Sequence, residues 1–305
     1  MSESTTATPL GFDGSTRARV DRGNRETCGY RLRPLTPFGV ELVPSDGLQE
    51  RDAADGALTP PDAKLMVQLA EKFGIAVARG APALSREELA AYGRAGAKDP
   101  SAGDGGLLAW DFGSVMELAP DPGAVNYLHS REAVPFHWDG AFHKVPLFLV
   151  FSCTEAPGEG ETDGGGGQTI FANTERVWQT ADPLQKQRWG AVQLTYATEK
   201  LAHYGGEVTV RLVDRHPARR TTILRFAEPV TTKLNPVSLT VTGVSEETGR
   251  EVVDELTRRL YEDDVCYVHE WRQGDLVIAD NHALVHGRKA LTARSERRIR
   301  RVQIL

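Results

Sequence analysis

"WRQGDLVIADNHALVHGR", Trp271 to Arg288, carries two histidines four residues apart, and on a helix that spacing would form a zinc pair. The residues around them argue for strands instead. Gly274-Asp275 and Asp280-Asn281 are turn pairs, Leu276 to Ala279 is an apolar run of strand length, and "ALV" leads into His286. No Glu follows the first histidine, as the helical zinc motif requires. Strand, turn, strand is the expected order. In an extended chain His282 and His286 share one face, so His282 stays a rival. His286 is favoured because it lies beyond the turn and leads into a basic segment.

Outward from this hairpin, most readable segments are also strand-sized: "FGSVMEL", "PLFLVFSC", "QTIFAN", "AVQLTYA", "VTVRLVD", "TTILRF", "CYVHEW" and the terminal "RRIRRVQIL". Three helices are expected among them. One runs from Pro61 to Phe73, capped by Thr59 and stopped by Gly74; one follows the Ser85/Glu88 capping box to Gly96; one spans Ser245 to Tyr261, with acids first and Arg258/Arg259 last. Short strands with few helices indicate a mainly β protein with peripheral helices, an antiparallel sandwich or barrel rather than alternating βαβ units. Residues 1–30, rich in Ser, Thr, Gly and Arg, are expected to be flexible, with a single domain over 31–305. "GEGETDGGGGQ" at 158–168 lacks the G-K-[ST] of a phosphate loop and reads as a mobile hairpin loop.

A formal charge of −6 argues against a general nucleic-acid or anionic-membrane binder. The polar N-terminus lacks the apolar core of a secretory signal, and no run is long enough to span a bilayer. Three widely spaced cysteines without a C-x-x-C pair suit a reduced cytosol, so a cytoplasmic protein is expected. Homo-oligomerisation is left open by the sequence.

"VPFHWDGAF", Val134 to Phe142, sets His137 and Asp139 one residue apart, on the same side of an extended chain. Alone this pattern is weak, and surface hydrogen bonding explains it. A second histidine, His286, would complete the two-histidine, one-carboxylate set that a non-haem Fe(II) oxygenase needs on one face of its metal. The C-terminal "RSERRIRRVQIL" then acquires a role. Its arginines at 294, 297, 298, 300 and 301 read plainly as a solvated edge strand, but a guanidinium fork beside such a metal also suits the distal carboxylate of 2-oxoglutarate.

Taken in order, His137-x-Asp139, "GGQT" at Gly166 to Thr169, "WRQGDLVIADN" from Trp271, His286-Gly287-Arg288 and Arg297-x-x-x-Arg301 resemble the Fe(II)/2-oxoglutarate dioxygenases of the taurine dioxygenase (TauD/TfdA) superfamily. The resemblance implies a double-stranded β-helix, or jelly-roll, core. It implies Fe(II) held by His137, Asp139 and His286, with O2 and 2-oxoglutarate as co-substrates. The 2-oxoglutarate arginine falls on Arg297, eleven residues past His286, with Arg301 as a second arginine and Thr169 as a helper; Arg298 and Arg300 remain alternatives by a one-residue slip. From Phe112 onward, "FGSVMEL", "DRHPARRTTILRF" and "LNP" are most similar to the PvcB-type isonitrile-processing oxygenases. That implies a small amino-acid-derived substrate of secondary metabolism, such as tyrosine isonitrile, oxidised by decarboxylative desaturation or hydroxylation with succinate and CO2 as co-products. Asp139 stands where related halogenases carry a small residue, which disfavours halogenation.

The loop "VNYLHSREAVPF" offers Tyr127, His129 and Arg131, together with Arg301, to a small-molecule substrate, against the plainer reading of a solvated loop. His143, His203, His216 and His269 are taken as structural or surface histidines, and Trp110, Trp138, Trp178 and Trp271 as core. Asp280 or Asn281 either orients a histidine or forms the turn, with the turn favoured. The rival readings are a hydroxylase of a free or carrier-bound amino acid, a zinc hydrolase, which gives Arg297 and Arg301 no task, and a non-catalytic jelly-roll binding module.

Overall fold

The computed structural model describes residues 30–44, 59–156, 166–201, 204–292 and 296–305. The expectation of a flexible segment over 1–30 lies outside the described residues apart from Tyr30, and that of a mobile loop at 158–168 apart from 166–168; His203 also lies outside them. The first half of the chain forms β1 (Tyr30–Pro34), β2 (Val40–Pro44), α1 (Ala63–Phe73), β3 (Ile75–Ala78), α2 (Arg86–Gly96), β4 (Met116–Leu118), a 3-10 turn (Tyr127–His129), β5 (Val134–His137) and β6 (Phe148–Glu155). Then come β7 (Thr169–Asn173), α3 (Thr174–Thr180), α4 (Pro183–Ala191), β8 (Gln193–Leu201), β9 (Tyr204–Arg211), β10 (Val213–Arg215), β11 (Thr222–Leu224) and β12 (Ser238–Thr242). The chain closes with α5 (Glu246–Leu260), β13 (Cys266–His269), β14 (Leu276–Asp280), β15 (Leu284–Arg288) and β16 (Arg298–Ile304).

A seven-stranded sheet runs β1-β2-β3-β14-β6-β16-β4, and a four-stranded sheet runs β13-β7-β15-β5. Pairing within them is antiparallel apart from β2 with β3. Side-chain alternation assigns their faces. On one side of the large sheet Val150, Ile278 and Val302 pack beneath Met66 and Leu89 of the helices. On the other, Phe151, Val277 and Ile299 meet Phe171 and Leu284 of the smaller sheet. Both faces of β14 are therefore covered, which is why "LVIAD" reads as an unbroken apolar run. On β16 the same alternation turns Ile299, Arg301 and Gln303 toward the space between the sheets.

Two local expectations need correction. Asp62, not Thr59, caps α1, accepting from Leu65 N at 2.9 Å, because Pro60 and Pro61 keep the chain ahead of it extended. "VTVRLVD" divides into β9 and β10 around Leu212. The Ser85/Glu88 capping box is present as expected, and Ser245 caps α5. Helices α3 and α4 were not anticipated. Only Trp189 of α4 is buried, so no apolar stripe announces it, although Asp182 and Gln185 form a capping box. No helix among the described residues is long and apolar enough to cross a membrane.

Gly274 makes the turn into β14 at φ +82°, and an added Cβ would lie 2.2 Å from the Ala81 carbonyl oxygen. Gly274→Ala should therefore cost at least about 2 kcal/mol through left-handed strain and a backbone clash. Urea denaturation measures it, and an unchanged midpoint would contradict this account of the turn.

Candidate active site

β5 and β15 lie side by side with His137 paired across from His286, which brings their ring centroids to 4.3 Å. Asp139 follows two residues past the end of β5, and its Oδ1 is 3.7 Å from Nε2 of each histidine. That is too long for a hydrogen bond. One ligand atom from each of the three lies within 4.8 Å of the others. Both Nε2 atoms are buried without a hydrogen-bond partner. The His137 Nδ1 proton donates to the Pro135 carbonyl at 2.9 Å, which leaves the lone pair on Nε2 facing inward. Burial, first of all, lowers both imidazoles below their ordinary value, His286 well below it. Two neutral imidazoles and a carboxylate converging on one point fit a divalent metal.

Burial by itself would raise the Asp139 carboxyl, but Arg301, the two histidines and Gln303 together hold it below the usual range. Arg301 Nη1 lies 2.8 Å from Asp139 Oδ2 and Gln303 Nε2 donates to the same oxygen at 2.6 Å. The backbone is fixed as firmly. Asn281 Oδ1 accepts from Asp139 N at 2.9 Å, while Asn281 Nδ2 donates to the Asp139 and Pro146 carbonyls at 3.1 and 3.0 Å. Asn281 thus orients the carboxylate, not a histidine, beyond its place in the turn.

Beside the triad lies a cavity lined by Thr169, His286, Arg288, Arg297 and Arg301. Arg297, 5% exposed, donates through Nη2 to Thr169 Oγ1 at 3.0 Å, and Trp271 Nε1 donates to the same hydroxyl at 2.9 Å. With two donors on its oxygen, the Thr169 hydroxyl has its own proton free to give. Arg297 has no carboxylate partner among the described residues, its Nε is unbonded, and burial, followed by nearby Arg288, pushes it down to about 9. A buried, unmatched guanidinium beside a donor hydroxyl fits a carboxylate. Arg298 and Arg300 face the other way, toward Glu117 and Glu155.

A larger cavity opens on the other side of Asp139 and Arg301, walled by Trp110, Tyr127, Trp138, Phe142, His143 and Tyr196. Tyr127 is where a substrate residue was expected. His129 and Arg131 are not: the tight 3-10 turn swings His129 toward the Ala119 backbone, and the Arg131 guanidinium donates to the Thr292 carbonyl. Neither lines this cavity. Arg301 was expected to meet a substrate or 2-oxoglutarate; it borders both cavities but is engaged with Asp139. His282 is no ligand neighbour. It sits in the turn before β15, with Nδ1 against Arg225. Trp110 and His143, read as core and surface, stand in the cavity wall with ring centroids 5.4 Å apart. Gln303 was missed, although alternation from Arg301 along a strand pointed to it.

The arrangement is that of an antiparallel β protein presenting a metal-competent triad between an anion cavity and an aromatic one. Residues 31–303 match the Taurine catabolism dioxygenase TauD, TfdA family, and the chain belongs to that family; it is a dioxygenase, an oxidoreductase. It is 38% identical over 290 residues to the 3-((Z)-2-isocyanoethenyl)-1H-indole synthase of Fischerella ambigua, covering 94% of this chain and 99% of that one. It is 39% identical over 205 residues to the tyrosine isonitrile desaturase of Pseudomonas aeruginosa, covering 66% and 69%. The solved structure of PvcB from Pseudomonas aeruginosa is similar with a TM-score of 0.70 at 32% identity, over 90% of this chain and 91% of that one. Another PvcB structure with the same TM-score of 0.70 is described as an Fe, alpha-ketoglutarate dependent oxygenase from an isonitrile synthetic pathway.

His282 is pushed down to about 3 by burial and by Arg225, and burial also lowers His269. Their folded values lie below the unfolded one, so their stabilising effect is complete above about pH 6.5 and declines as pH falls, when the unfolded chain binds the extra protons. Stability should drop on acidification from pH 7 to 5. In His282→Asn the slope should be shallower by up to about 1.4 kcal/mol per pH unit. Urea titrations at stepped pH test this; identical slopes in the two proteins would refute it.

Proposed function

We propose that the chain is an Fe(II)- and 2-oxoglutarate-dependent oxygenase that converts an isonitrile derived from an aromatic amino acid, such as tyrosine isonitrile, to its vinyl isonitrile by decarboxylative desaturation. The observation that carries this reading is a metal-competent triad flanked by a buried, unmatched Arg297. Two relatives named for isonitrile products or substrates, one matched over nearly its full length, supply the substrate class. The aromatic wall of the larger cavity suits a phenol or an indole ring. The facing sheets we take as a double-stranded β-helix, in a single domain over residues 31–305. With Cys153 and Cys266 as free thiols, a cytoplasmic location fits.

His137, Asp139 and His286 would hold the metal, leaving positions on it for 2-oxoglutarate and O2. Arg297 and Thr169 would take the distal carboxylate of 2-oxoglutarate, and Trp271 fixes the Thr169 hydroxyl for it. When bound, the metal lets O2 accept two electrons from 2-oxoglutarate and two from the substrate. The substrate loses its β hydrogen and its carboxylate as CO2, and succinate, a second CO2 and water are formed. Apolar walls keep bulk water from the reacting carbon, and the ring pocket sets which C–H faces the metal. Hydroxylation is the alternative outcome at the same carbon.

Anaerobic Fe(II) and 2-oxoglutarate should produce a visible charge-transfer band, and O2 should then yield succinate. His286→Ala should abolish the band while His282→Ala keeps it. Arg297→Met should weaken 2-oxoglutarate binding by about 100-fold, as expected for loss of a charge-assisted bidentate contact, and Arg298→Ala by less than about twofold. Tyrosine isonitrile, tryptophan isonitrile and free amino acids, each followed by mass spectrometry, separate the substrate classes. Turnover of the free amino acids alone would overturn the isonitrile reading, and absence of both band and succinate would overturn the oxygenase.

A further inference from the structure

Asp139 presents its two oxygens to different neighbours. Oδ1 faces both imidazoles, while Oδ2 receives Arg301 Nη1 at 2.8 Å and Gln303 Nε2 at 2.6 Å. The direction of the Gln303 amide follows from chemistry. Trp110 Nε1, which can only donate, lies 2.9 Å from the other end of that amide, so this end is the carbonyl oxygen and the NH2 group faces Asp139. Reversing the amide would set two donors together at Trp110 and two acceptors together at Asp139. The pair is also pinned along the backbone, since Leu108 N donates to the Gln303 carbonyl at 2.9 Å and holds the Trp110 segment along β16. Trp110 itself stands in the wall of the larger cavity.

We propose that Gln303 is a positioning residue which, oriented by Trp110, occupies the outer oxygen of Asp139 and so keeps Oδ1 aimed at the point where the two imidazoles converge. The Gln303 hydrogen bond and the Arg301 ion pair on Oδ2 oppose rotation of the carboxylate away from that aim. Arg301 supplies charge to that oxygen. Gln303 supplies direction, and Trp110 removes the freedom of the amide to flip.

The inference rests on the metal reading above, and the test separates the two. Mn(II) alone is titrated, by electron paramagnetic resonance, into the full-length wild-type chain, Trp110→Phe, Gln303→Leu and the double variant, with thermal melting recorded for each. Trp110→Phe keeps a smaller aromatic wall and removes the indole N–H. Gln303→Leu should weaken Mn(II) binding by about 10- to 100-fold and Trp110→Phe by about 3- to 10-fold, in line with other outer partners of metal ligands. The double variant should bind no more weakly than Gln303→Leu, because Trp110 acts only through Gln303. The anaerobic Fe(II)/2-oxoglutarate band should also shift in both single variants. Single variants within about twofold of wild type, or effects that add in the double variant, would overturn the proposal. If Gln303→Leu does not fold, Trp110→Phe alone decides by the same limits. A wild-type chain that binds no Mn(II) sinks the metal reading itself.

Discussion

A carboxylate that must stay ionised where water cannot reach it governs this molecule. Asp139 is 7% exposed, and an isolated buried carboxylate would cost several kcal/mol or take up a proton. Its charge is instead met by Arg301, its outer oxygen by Gln303, and its backbone by Asn281. These partners come from β16 and from the turn between β14 and β15, and the histidines from β5 and β15. The large sheet and the small sheet are thus tied together at one residue. The alternation that turns Ile299 into the apolar layer between the sheets also delivers Arg301 and Gln303 to Asp139.

The neighbouring cavity shows the opposite balance. Among the described residues, Arg297 is buried without a matching acid, and Arg288, pushed down to about 10 by burial, is met by the Leu128, Ser130 and Glu132 carbonyls. A fold selected for stability alone would neutralise such cations. Their retention beside the triad makes sense if an anion completes the site, and that anion would then stabilise the folded chain by mass action. The three carbonyls held by Arg288 belong to the loop that carries Tyr127, so the cation also sets the near wall of the larger cavity.

The parts legible in the sequence are those whose partners are local or whose chemistry is rare. The Ser85/Glu88 capping box announces its helix because the signal is complete within four residues. His137-x-Asp139, His286 and Arg297 stand out through family spacing, and the structure brings them to one place. Asn281, Gln303 and Trp110 do not stand out. Asparagine in a turn, glutamine in a strand and a tryptophan read as core each have commoner explanations, and their partners lie 142 and 193 residues away in the cases of Asn281 with Asp139 and Trp110 with Gln303. His129 and Arg131 mislead for a different reason. Loop position suggests access to a substrate, but a single 3-10 turn decides which side chain faces inward, and it selects Tyr127.

The strand-turn-strand unit of Trp271 to Arg288 shows why the two turn residues are not interchangeable. Asp280 builds the turn: Oδ1 accepts the backbone N–H groups of His282 and Ala283, and Oδ2 is held by His216 at 2.9 Å and Arg219 at 2.7 Å. Asn281 uses its amide outward, accepting from the backbone N–H of Asp139 and donating to its carbonyl. An aspartate at 281 would lack the N–H donor, and an asparagine at 280 would lack the charge that Arg219 faces. His282 is drawn aside by Arg225, which leaves the next inward-facing histidine of β15, His286, opposite His137. One turn pair therefore fixes the backbone of the carboxylate, while Arg225 takes the rival histidine and the pairing of β15 with β5 places the other.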